Sequence, residues 1–99
     1  MILTKTEPFS KEEIQQLREQ KKILSSLAMD LKRVALGLYR KSHGMAERFL
    51  QEAIKRKHEV DAEKLLPYMQ RILIKVNNHM TAEDALMYST RIQNYLLYK

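Results

Sequence analysis

Leucines at positions 17, 24, 31 and 38 recur every seven residues, with Leu27, Ala28, Val34 and Ala35 in the intermediate rows. No other feature restricts the fold as much. Seven residues are close to two helical turns, so this spacing draws a coiled-coil-like seam along one side of an α-helix. The helix carrying it is expected over residues 11–41, a rod of roughly 45 Å at about 1.5 Å per residue. The helices expected later in the chain, at 14 to 17 residues, come to only about 21–25 Å by the same rise. One of them cannot cover the seam. Either two pack along it end to end, or the rod breaks near Ser25 and Ser26, or a second chain covers the remainder.

Start and stop signals divide the rest. Ser10 with Glu13 forms a capping box before the first helix, with Phe9 and Ile14 as its staple. Asp61 repeats the pattern with Val60 and Leu65, and Thr81 caps a further helix whose Glu83 and Asp84 face its positive dipole end. Ser42, His43 and Gly44 mark a break between the first two helices, and Pro67 either kinks the third or sets its effective start. With only two glycines and two prolines, the expected fold is all-α: a four-helix bundle with helices over about 11–41, 45–58, 61–77 and 82–98. It forms one domain over 1–99, with 1–9 as an extended arm, and buries roughly 60–65% of its unfolded surface.

Composition removes several chemistries. The chain has no cysteine, which excludes disulfides, zinc thiolates and thiol catalysis and fits a reducing cytoplasm. It has no apolar run near the roughly 18–20 residues that span a bilayer, and the opening "MILTKTEPFS" lacks the long apolar region of a secretion signal. The expectation is a cytoplasmic protein without a membrane partner.

Histidines, carboxylates and glycines give no catalytic constellation. His43, His58 and His79 stand alone at helix ends or turns, and the residues three before them, Arg40, Lys55 and Val76, do not make the Glu-x-x-His of a di-iron bundle. "HEVDA" begins like a zincin motif, but Ala62 stands where the second histidine belongs. Arg40 and His43 are too closely spaced for the Arg–His pair of helical ribonucleases, so RNA cleavage is only a remote alternative. Gly37 and Gly44 make no phosphate loop, and the pairs Glu12/Glu13 and Glu83/Asp84 sit in first helical turns, where dipoles account for them. No cofactor or metal is expected, and the expectation is a protein that is not an enzyme. Over "MTAEDALMYSTRIQNYL" the chain resembles the second helix of small aspartyl-phosphate phosphatases of sporulating bacteria, which carry Ser-x-x-Leu-Asp. Ser89 and Ile92 match in kind, but Gln93 replaces the aspartate on which that activity depends, so no function is carried over.

Two binding surfaces remain. The first serves self-association as a homodimer, through the seam Leu17, Leu24, Leu31 and Leu38 or through the edge of the last helix. On that helix Ala82, Ala85, Ser89, Ile92 and Leu96 form an apolar face widened by Leu86 and Leu97, with Tyr88 and Tyr95 on its border. The second serves nucleic acid. The net charge is +6, and residues 32–57 carry all of it: Lys32, Arg33, Arg40, Lys41, Arg48, Lys55, Arg56 and Lys57 against Glu47 and Glu52. Within 45–57, Ala46, Phe49, Leu50, Ala53 and Ile54 face inward and Arg48, Gln51, Glu52 and Lys55 outward, which suits phosphate contacts better than base reading. The leading expectation is a self-associating interaction or regulatory module, with nucleic-acid binding second.

Overall fold

The computed structural model describes residues 11–97, of which 85% are helical, with no strand among them. Four α-helices follow in order: α1 (Lys11–Tyr39), α2 (His43–Glu59), α3 (Pro67–Lys75) and α4 (Ala82–Leu97), with a 3-10 turn at Ala62–Lys64. The expected all-α bundle is the fold. Ser10, Phe9, the 1–9 arm and Tyr98 lie outside the described residues.

α1 is the element on which α2 and α4 both pack. α2 folds back along it, so that Arg56 meets Asp30, and Asp61, just past the end of α2, meets Gln20. α4 is also antiparallel to α1: Ala85 packs with Val34 and Ala35, whereas Tyr95 and Leu96 share a cavity wall with Leu17 and Leu24. Midway, the buried Ser89 Oγ donates to the Ala28 carbonyl oxygen at 2.7 Å, so this buried hydroxyl has its partner.

The seam is therefore covered from within the chain. α1 passes Ser25 and Ser26 unbroken, and α2 and α4 lie side by side along it, not end to end. Leu24 and Leu31 are fully buried and Leu38 half-buried; only Leu17, at 42% exposed, projects past the covering helices. Those covering helices, 17 and 16 residues long, span only about 24–26 Å. Within the chain, three of the four leucines are thus engaged by α2 and α4, and Leu17 is left exposed.

The turn after α1 falls at residues 40–42, earlier than the expected 42–44, and Gly44 lies inside α2. Ser42 N–H donates to the Gly37 carbonyl and Lys41 N–H to that of Leu38, the paired bonds of a Schellman cap. Lys41 holds its left-handed position at φ 57°, where glycine is usual. Gly37 matters for packing instead. A Cβ there would stand 2.9 Å from the backbone nitrogen of Ala46, so its missing side chain lets α2 turn in close.

The expected 61–77 helix is split. Pro67 is the first residue of α3, and Leu66 before it is extended at φ −63°, ψ 149°, as a residue before proline must be. Asp61 makes no side-chain cap; its N–H instead donates to Gln20 Oε1, and Gln20 Nε2 donates back to its carbonyl. The Thr81 cap is present and reciprocal: Asp84 N–H donates to Thr81 Oγ1 and Thr81 N–H to Asp84 Oδ2.

Candidate functional site

The basic corner is built on one buried acid. Asp30 lies on α1 between core positions Leu27 and Leu31, 4% exposed, and accepts a 2.6 Å hydrogen bond from Arg56 Nε of α2. Arg33, one turn on, approaches the other carboxylate oxygen at 3.8 Å and stacks over the Phe49 ring at 5.2 Å. The hydrogen bond to Asp30 raises the Arg56 pKa above its ordinary value; desolvation opposes this, and Asp30, Glu52 and Glu59 add attraction. Lys57 is also committed, its Nζ donating to the Val76 carbonyl at the end of α3.

Three of the eight expected nucleic-acid contacts, Arg33, Arg56 and Lys57, thus serve the bundle, although Arg33 keeps much of its side chain in solvent. Counting Asp30, residues 30–57 hold eight basic and three acidic side chains. Arg40 and Lys41 occupy the turn, while Arg48 and Lys55 share the outer stripe of α2 with Glu52 between them. Lys32 stands seven residues before Tyr39, on the side of α1 turned towards α4. These five are exposed, one on α1, two in the turn and two on α2.

The second surface lies between α1 and α4. Tyr88 and Tyr95, expected on the border of α4, are 8% and 6% exposed: α3 covers that side, and Tyr68 meets Tyr95 edge-on at 5.8 Å. Within the chain both tyrosines thus belong to the core cluster that α3 joins. The buried face of α4 is rotated towards the tyrosines, leaving Leu86, Met87 and Leu97 exposed. Leu86 and Met87 line a shallow depression with Glu83, Thr90, Arg91 and, across from them, Tyr39 of α1. Leu36 and Met29, one and three turns before Tyr39, extend the exposed apolar strip along α1.

Sequence spacing marks neither Asp30 nor the strip as a whole, although it places Leu86 beside the apolar face of the last helix. Met29 and Leu36 are seven apart, a second heptad row beside the leucines, so half of the strip had a readable signal. Asp30 had none, since its partner lies 26 residues away. His43, His58 and His79 are all exposed, and among the described residues no three His, Cys, Asp or Glu side chains come together as metal ligands. No helix among these residues is long and apolar enough to cross a membrane. No family model, curated protein or solved structure matches this chain.

Proposed function

We propose that the chain acts by binding, as a helical interaction module that associates with itself through the exposed strip between α1 and α4, in the cytoplasm. One observation carries this reading: Leu36, Tyr39, Leu86 and Met87 are each 38–55% exposed on adjoining elements, while polar side chains rim them. Apolar side chains scattered singly need no explanation, whereas a contiguous group rimmed by charge marks an interaction surface. Light scattering tests it. The expected result is a mass twice 11.8 kDa at roughly micromolar concentrations, the order of transient contacts, falling to 11.8 kDa when Leu36 and Tyr39 are replaced by Glu. A wild-type monomer throughout that range overturns the proposal.

The exposed cations Arg40, Lys41, Arg48 and Lys55 support a second reading, phosphate-driven binding of nucleic acid. Four contacts on duplex give a log–log salt slope of about −3.6, nearly independent of sequence. Replacing Arg48 and Lys55 with Ala should flatten it by about two units, because both point outward from α2. Absence of binding at about 50 mM salt, where phosphate contacts are strong, leaves the corner a solvated face.

A further inference from the structure

We infer that the self-association surface is a two-fold pairing of α4 with α4 of a second copy, antiparallel and centred on Met87, in which Glu83 of each chain meets Arg91 of the other. This rests on the self-association reading and adds the element that pairs and its register. Glu83, Met87 and Arg91 follow one another at four-residue intervals, so they form one stripe on the exposed side of α4. All three line the depression beside Tyr39.

The stripe is its own complement. Rotating α4 by half a turn about an axis through Met87 places position 83 opposite 91 and 91 opposite 83, each about 6 Å along the helix from the axis. An acid therefore meets a base twice, and the apolar Met87 side chains meet at the centre with Leu86 beside them. In the parallel register, Glu83 would face Glu83 and Arg91 would face Arg91. The charge pattern thus selects both the second copy as occupant and the antiparallel direction. Both charges are available for it: among the described residues neither Glu83 nor Arg91 is in an ion pair, while the neighbouring acid, Asp84, is held by Thr81. The two-fold contact is closed, so it ends at a dimer and propagates no filament.

Charge reversal tests the register. Glu83→Arg and Arg91→Glu should each weaken the dimer at least about tenfold, because each puts two like-charge contacts where attractive ones stood. Mixing the two single variants should restore the dimer as a heterodimer, since every 83–91 contact between them is again opposite in sign. The double variant Glu83→Arg/Arg91→Glu should dimerise alone. Circular dichroism checks that each variant is folded, and Glu83→Gln, which removes the charge without reversing it, should give an intermediate loss. If the wild type dimerises and the single reversals leave it intact, or their mixture stays monomeric, this register is overturned while self-association stands. If the wild type is monomeric, the self-association reading itself fails.

Discussion

Asp30 shows how much one side chain can redirect. An acid in the leucine seam would be costly alone, and Arg56 and Arg33 offset that cost. Arg56→Ala should destabilise the fold by about 2 kcal/mol, below the 3–5 typical of fully buried pairs because a third of the arginine side chain is in solvent and Arg33 remains. Asp30→Leu combined with Arg56→Leu should come within about 1 kcal/mol of wild type, measured by urea unfolding. A raised arginine pKa means the pair's contribution is complete below the arginine range and lost only above it, so the coupling should be the same at about pH 7 and about pH 9. The two glycines should respond with opposite signs. Gly44→Ala meets nothing within 4 Å and should stabilise α2 by about 0.5 kcal/mol through helix propensity. Gly37→Ala gains about 1 kcal/mol of the same propensity but drives a methyl against the Ala46 backbone, so a net loss of about 1–2 kcal/mol is expected from thermal unfolding.

For the elements, local rules were readable where the partner lay within four residues. The Thr81 cap and the proline start of α3 follow from chemistry inside one turn: the cap could be seen in the sequence, and the start was one of the two roles Pro67 allowed there. Thr81→Ala should cost about 1 kcal/mol, read from the shift in thermal midpoint. Asp61 carried the same local signal, but its carboxylate makes no cap, and its backbone N–H and carbonyl pair with Gln20, 41 residues away. The end of α1 was misplaced for the opposite reason. Gly44 advertised a turn, yet the left-handed residue is Lys41, and the close packing of Gly37 on Ala46 fixes where the chain reverses. Lys41→Gly should therefore stabilise by about 0.5–1 kcal/mol, because it removes the left-handed strain of a side chain at that position. A loss of stability on that change would show that the lysine side chain holds the turn by other contacts.

Across the whole molecule, the seam announced a bundle but not which chain would fill it. Heptad spacing is the same whether a leucine meets α2, α4 or a second copy, and only the three-dimensional arrangement separates Leu24 and Leu31 from Leu17. The candidate site was legible to a similar degree. The cations were visible as charge, but not that Asp30 and Val76 would engage three of them, and the α1–α4 strip required knowing that α3 covers the tyrosine side of α4. The order in which α1 gains its two companions has a kinetic consequence. α2 follows α1 after a three-residue turn, whereas α4 reaches the same helix only once the 60–81 stretch has been traversed, and Ser89 bonds a carbonyl 61 positions earlier. Closing the short loop first costs less chain entropy, so the α1–α2 hairpin should dominate the folding nucleus. Ala53→Gly should then chiefly slow refolding, while Ser89→Ala should chiefly speed unfolding, and stopped-flow chevrons of the two variants would differ in which arm moves.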